Sequence, residues 1–220
     1  MKGDVIIVED YHYTAAMAIV DYLLPQIEAK AGRFTCTVAG ESGSGKSEMA
    51  QAIATVLNYK EVPTGIFQQD DYFIYPPKTN HNTRLKDISW VGPQEVKLAL
   101  LDEHLKAAWD GQEAVVKPLV IFGEDRIEDE TMTLTGLKVL IAEGTYTSLL
   151  ENVDAKVFLT RNRLETMESR RKRGREPMDP FFEEVLEIEH EIISKHKAKA
   201  DVIVTREFQV EFVGDLVAQP

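Results

Sequence analysis

Phe34-Thr-Cys-Thr-Val-Ala-Gly40-Glu-Ser-Gly-Ser-Gly45-Lys46-Ser47 runs on into Glu48-Met-Ala-Gln-Ala-Ile-Ala-Thr-Val-Leu57. Phe34, Cys36 and Val38 alternate with Thr35 and Thr37 before Gly40, the pattern of a short strand that ends in a turn. Gly40, Gly45, Lys46 and Ser47 satisfy G-x-x-x-x-G-K-[ST], and Met49, Ile53, Val56 and Leu57 follow at helical spacing. Strand, phosphate loop and helix are therefore predicted in succession. Glycines let the backbone curl so that successive N–H groups point inward, and the helix N-terminus adds partial positive charge. Gly40, Glu41, Ser42, Gly43, Ser44, Gly45, Lys46 and Ser47 form the candidate cradle for nucleotide phosphates. Lys46 would reach the β- and γ-phosphates, and the Ser47 hydroxyl would hold Mg²⁺, a hard cation that prefers oxygen ligands. The bland alternative is a Gly/Ser-rich surface turn, and the flanking strand and helix weigh against it.

A chain of 220 residues with 44% hydrophobic content favours one domain spanning 1–220 with a substantial core. The formal net charge of −12 disfavours a nucleic-acid or anionic-membrane partner, because binding dominated by phosphate needs a basic footprint. Small-molecule chemistry is the better expectation. The lone cysteine, Cys36, cannot form an internal disulfide and reads as strand packing. No stretch approaches membrane-spanning length, so the protein is expected in the cytoplasm. A homo-oligomer is left open.

Outward from the loop, Val5 to Val8 reads as a buried strand and Thr14 to Ile27 as a helix interrupted near Pro25, so that residues 1–33 form a strand-helix N-terminal extension. Tyr11-His12-Tyr13 reads as packing at the end of that strand. Val62 to Gln69 predicts a strand ending in Asp70-Asp71-Tyr72-Phe73. Ligands of open α/β sheets collect at the carboxyl ends of strands, so Asp70 is a candidate to take the proton of an acceptor hydroxyl or to hold Mg²⁺. A turn or N-cap aspartate is the alternative. Tyr75 to Gly92 reads as a long loop, Pro93 to Trp109 as a helix, and Val115 to Phe122 and Thr131 to Leu134 as strands joined by a charged connector. Lys138 to Ala142 is an apolar run suited to a buried parallel strand, and Glu143 at its end could reach the same ion as Ser47. Ala155 to Thr160 and Asp201 to Val204 give further strands, with an edge strand at Phe208 to Val213, and Asp179 to Lys199 is a helix whose charges suit its dipole.

Between them lies the dense basic cluster Arg161, Arg163, Arg170, Arg171, Lys172, Arg173 and Arg175, bent at Gly174 and Pro177. Guanidinium groups match phosphate oxygens and stabilise a transferring phosphoryl group, so residues 161–178 read as a lid, with Arg173 and Arg175 catalytic. A solvated helix face is the alternative.

Taken in order, Gly40 to Ser47, Gln69-Asp70-Asp71-Tyr72-Phe73, Glu143-Gly144, Arg173-Gly174-Arg175 and Ala200-Asp201-Val202-Ile203 resemble the uridine kinase and phosphoribulokinase family. The resemblance implies an α/β P-loop NTPase fold, a doubly wound, mainly parallel sheet with a helical lid. It also implies ATP-dependent phosphorylation of a hydroxyl on a small metabolite. On that resemblance Asp70 is the base, Ser47, Glu143 and Asp70 serve Mg²⁺, and Arg173 and Arg175 belong to the lid.

The chain departs from the uridine kinase pattern. Val91-Gly92-Pro93 stands where those enzymes carry Asp-His-Pro, Val120-Ile121-Phe122 replaces a Tyr-Asp-Phe stretch, and Glu165 and Glu168 stand where the lid carries arginines. Losing polar contacts changes which acceptor a site prefers, and Tyr72, Arg84, Asp87 and Asp125 become the candidate substrate contacts. Three readings follow: a uridine-kinase-like enzyme, the same chemistry on a sugar, sugar acid or pantothenate, or a regulatory nucleotide-binding NTPase without a small acceptor.

Overall fold

The computed structural model describes residues 1, 6–167 and 179–214. Its centre is a six-stranded sheet built around β1 (Phe34–Gly40). On one side of β1 lie β5 (Val139–Gly144) and then β2 (Thr64–Gln68). On the other lie β6 (Ala155–Leu159), β7 (Val202–Val204) and β8 (Val210–Phe212). All neighbours are parallel except β8, which closes the edge antiparallel to β7.

Alternation along the strands divides the core into two layers. Cys36 and Val38 of β1, with Val139 and Ile141 of β5, pack under α1 (Asp10–Ala29) and α2 (Lys46–Tyr59). Ala39, Leu140, Ala142 and Phe158 face the opposite layer, which includes α4 (Leu98–Trp109) and reaches Ile193 of α5 (Pro180–Ile193). Every residue of β1 and β5 is buried, which explains why these strands carry no exposed polar face. Cys36 belongs to this core, where burial and then Asp154 push its thiol up to about 12.

Three expectations about elements are corrected. Ile6 to Val8 form no strand, and Ile7 is 65% exposed; Val5 lies outside the described residues. The sheet edges are β2 and β8, so the short apolar run has no strand beside it to supply hydrogen bonds. Second, Tyr75 to Gly92 is not a loop but contains α3 (Pro77–Lys86). Of its residues only Asn80 is buried, so it shows no apolar stripe, and its start is held instead by Pro77 and by Asp125, which accepts from Lys78 N–H at 2.6 Å and Thr79 Oγ1 at 2.8 Å. Third, the charged connector after β3 (Ala114–Ile121) is itself a strand, β4 (Arg126–Thr133), which pairs antiparallel with β3. Most of β4 is exposed, which suits its charged residues, and its backbone pairs along one edge with β3 in a two-stranded sheet.

α1 runs on through Pro25 to Ala29 rather than breaking at the proline. An interior proline costs about 3 kcal/mol, and the buried Leu23 and Ile27 on either side, packed against the α2 layer, offset it.

Candidate active site

Strand register brings the site together. Val38 of β1 and Gln68 of β2 both stand level with Glu143 of β5, so three carboxyl ends open at one height. The phosphate loop follows β1, Glu143 closes β5, and Asp70 lies in the short 3₁₀ turn Gln69–Tyr72 after β2. Open parallel sheets place ligands at this edge.

The loop has the conformation its glycines permit. Gly45, with φ of 99°, precedes the first turn of α2, and Met49 N–H closes that turn on the Gly45 carbonyl at 2.8 Å. A Cβ at Gly40 would stand 2.9 Å from both the Leu159 carbonyl and Ser44 Oγ, so the backbone can pass there only without a side chain. Ser44 N–H donates to the Glu41 carbonyl at 3.1 Å, and Lys46 Nζ donates to the same oxygen at 2.8 Å. Ser44 Oγ is buried without a hydrogen-bond partner among the described residues, a donor that phosphate oxygens would satisfy.

Beside the loop, Ser47 Oγ donates to Glu143 Oε1 at 3.2 Å. Burial first, then the nearby Asp70, push the Glu143 carboxyl up to about 7, while Lys46 and Ser47 pull it down. Ser47, Glu143 and Asp70 make an all-oxygen donor set whose mutual repulsion a divalent cation would relieve, so these residues fit Mg²⁺.

The two adjacent aspartates part company. Asp70 lines a cavity of about 530 Å³ together with Lys46, Ser47 and Glu143. Asp71 is buried beneath it, ion-paired with Lys117 of β3 at 2.8 Å and accepting from Val120 N–H at 3.0 Å.

Of the four predicted substrate contacts, Arg84 lines the cavity. The other three lie elsewhere. Tyr72 is fully buried and its hydroxyl meets His104 Nδ1 at 2.8 Å, because the turn after β2 directs the ring into the core. Asp87 caps the turn Ile88–Trp90 through Ser89 N–H at 3.0 Å, and Asp125 caps α3 as described above. Short polar side chains at turns satisfy local backbone donors, which accounts for Asp87, whereas Asp125 holds the start of α3 from 47 residues away in the chain.

Val120 and Phe122 of the β3 segment, part of the stretch read in the sequence as a departure of the pocket, line the cavity, whereas Phe182, Val185 and Glu189 of α5 line it too and went unread. Glu189 had no local signal beyond being one of several acids on an amphipathic helix. His190 of α5 places Nδ1 2.6 Å from Glu41 Oε1 in the phosphate loop. Arg173 and Arg175, like most of the predicted lid 161–178, lie outside the described residues.

A parallel sheet whose central strand feeds a glycine-rich anion cradle, with a lysine in the loop and an oxygen cluster beside it, defines a P-loop phosphotransfer fold. Residues 35–210 match the Phosphoribulokinase / Uridine kinase family, and the chain belongs to that family of kinases. It is 30% identical over 190 residues to a uridine kinase of Vibrio atlanticus, an alignment covering 77% of this chain and 85% of that one. It is 27% identical over 192 residues to the bifunctional alpha-galactosidase/sucrose kinase AgaSK of Mediterraneibacter gnavus, covering 81% of this chain but 20% of that much longer protein. Among solved structures, D-glycerate 3-kinase from Cryptococcus neoformans superposes with a TM-score of 0.64 at 13% identity, covering 90% of this chain and 99% of that one. No helix among the described residues is long and apolar enough to cross a membrane.

Proposed function

We propose that the protein transfers the γ-phosphoryl group of ATP to a hydroxyl of a small metabolite, in the manner of a uridine kinase. The observation that carries this reading is that Lys46 and Ser47 of the phosphate loop, Asp70 and Arg84 all line one cavity, so donor phosphates and acceptor can share it. ATP phosphates would rest on the loop amides and Lys46. Ser47, Glu143 and Asp70 would hold Mg²⁺, which when bound neutralises charge on the phosphates. Asp70 takes the acceptor's proton as the acceptor oxygen bonds to the γ-phosphorus and the bond to the β-phosphate oxygen breaks, releasing ADP.

A second reading keeps the chemistry and replaces the nucleoside with a sugar. It is favoured by the apolar Val120 on the cavity wall, where the uridine kinase pattern has a tyrosine, and by the similarity to a sucrose kinase. ADP formation measured with and without a panel of uridine, cytidine, neutral sugars, sugar acids and pantothenate tests both. Phosphorylation of a panel member is expected. ATP hydrolysis that no acceptor stimulates would favour a regulatory NTPase instead.

A further inference from the structure

Strand order divides the rim of the sheet about the phosphate loop. Asp70 and Glu143 follow β2 and β5 on one side of β1, whereas Arg161 and Phe208 follow β6 and β7 on the other. The cavity that holds Asp70 and Glu143 opens on the first side. A nucleotide whose γ-phosphate meets Asp70 therefore carries its ribose and base away from that carboxylate, toward the second side.

A cluster of rings stands there. A Cβ at Gly45 would lie 3.4 Å from His12 Nε2 and from two ring carbons of Phe208, so both rings rest against the phosphate loop. Phe208 packs on Tyr11 with ring centroids 4.6 Å apart and meets His12 edge-on at 4.8 Å. The Arg161 guanidinium stands over the Phe208 ring, 5.3 Å from its centroid. Phe208 has φ of 59°, a left-handed conformation that a bulky residue keeps only where its surroundings compel it. Thr205 helps to compel it, accepting from Phe208 N–H through its carbonyl at 2.9 Å and from Gln209 N–H through its hydroxyl at 3.1 Å.

Two of these rings come from α1, which precedes the residues 35–210 that match the family. The helix is held firmly. Ala15, Ala16, Ile19 and Val20 pack in the core layer that also contains Met49, Ala50 and Ile53 of α2. His12 Nδ1 accepts from Glu9 N–H at 3.0 Å, so the start of the helix sets the plane of that ring. His12 is buried, while Tyr11 is 47% exposed and carries the aromatic surface outward from Phe208.

We propose that α1 is a working part of the nucleotide site, its Tyr11 joining Phe208 in a surface on which the base of the donor nucleotide stacks, with Arg161 beside it. The inference rests on the kinase reading for a nucleotide at the phosphate loop, and it extends the site to a segment outside the family match. Stacking suits this position because every base presents a π face, to which both aromatic rings and a planar guanidinium bind.

Titration calorimetry with the Mg²⁺ complexes of ADP and of ribose 5-diphosphate tests it, because the second ligand keeps the sugar and phosphates and lacks only the base. Wild-type protein should bind ADP at least about tenfold more tightly. Tyr11→Ala should weaken ADP by about tenfold and ribose 5-diphosphate by less than about twofold, and Tyr11→Phe, which keeps the ring, should bind ADP like the wild type. Equal wild-type affinity for the two ligands, or unchanged ADP affinity in Tyr11→Ala, overturns the inference. So does an equal loss for both ligands in Tyr11→Ala, which would give α1 a role in the fold and none at the base. The wild-type comparison needs no variant and holds even if Tyr11→Ala does not fold. The expected ADP pattern with no acceptor phosphorylated removes the kinase reading and leaves this inference standing, whereas a wild-type protein that binds neither ligand removes both.

Discussion

Glu41 Oε1 in the phosphate loop and His190 Nδ1 on α5 stand 2.6 Å apart, although 149 residues separate them in sequence. Glu41 Oε2 accepts from Arg163 N–H at 2.6 Å, so one buried carboxylate fastens the loop both to α5 and to the segment that leaves β6. Hydrogen bonds to a charged group contribute about 1.5–3 kcal/mol. Glu41→Ala should weaken Mg–ATP binding by about tenfold or more. His190→Ala, which leaves the Arg163 contact, should have a smaller effect. Titration calorimetry with a non-hydrolysable ATP analogue checks the order, and unchanged affinity in both variants would show that the fastening does not shape the loop.

Lys46 lines the cavity rather than the core. Lys46→Ala should keep the ligand-free Tm and lose the Tm gain that Mg–ATP gives the wild-type protein, a gain that follows from binding to the folded state alone. Equal ATP stabilisation of both proteins would remove Lys46 from the nucleotide site.

Asp70 and Asp71 should give opposite signatures. Asp70→Asn removes a cavity carboxylate and should lower phosphoryl transfer by about 10²-fold or more with near-normal Tm. Asp71→Asn leaves the buried Lys117 with Glu130 at 3.1 Å as its remaining carboxylate. That variant should lose stability, up to the roughly 3–5 kcal/mol of a broken buried pair, while its folded fraction stays active. Circular dichroism melts beside single-turnover assays separate the two, and an inactive but stable Asp71→Asn protein would exchange the roles assigned here.

Glu143 predicts a dependence on pH. Its folded-state pKa of about 7 lies above the ordinary 4.5. Its contribution to stability is therefore fully present below about 4.5 and is lost as pH rises through about 7. A bound divalent cation favours the ionised form, so the stabilisation by Mg–ATP should grow across the same window. Tm measured from pH 5 to 8 with and without Mg–ATP should diverge with rising pH, about in proportion to the ionised fraction. Glu143→Gln should flatten the ligand-free curve, and an equally steep curve in that variant would place the titration on another group.

The phosphate loop, the succession of buried strands and the acids at two strand ends were legible because each is written in contiguous residues. A strand, a glycine-rich turn and a helix imply one another locally, and Asp70 and Glu143 need only end their strands to reach the site edge. The same locality misled where a single polar residue had two uses. Asp87 binds a backbone donor in its own turn and Asp125 those at the start of α3, and nothing in their neighbours distinguishes that from ligand binding.

By itself the sequence determined the anion cradle and the parallel strands that carry it, since period and glycine placement depend on residues a few positions apart. Tertiary structure alone decided the rest of the cavity. Arg84 meets Glu189 across 105 residues and Glu41 meets His190 across 149, and such pairs follow from how α3, α5 and the phosphate loop pack. It also decided that Asp70 faces the cavity while Asp71 turns to Lys117, because a 3₁₀ turn after β2 sends successive side chains in different directions and Lys117 and the Val120 N–H of the β3 segment hold the buried one.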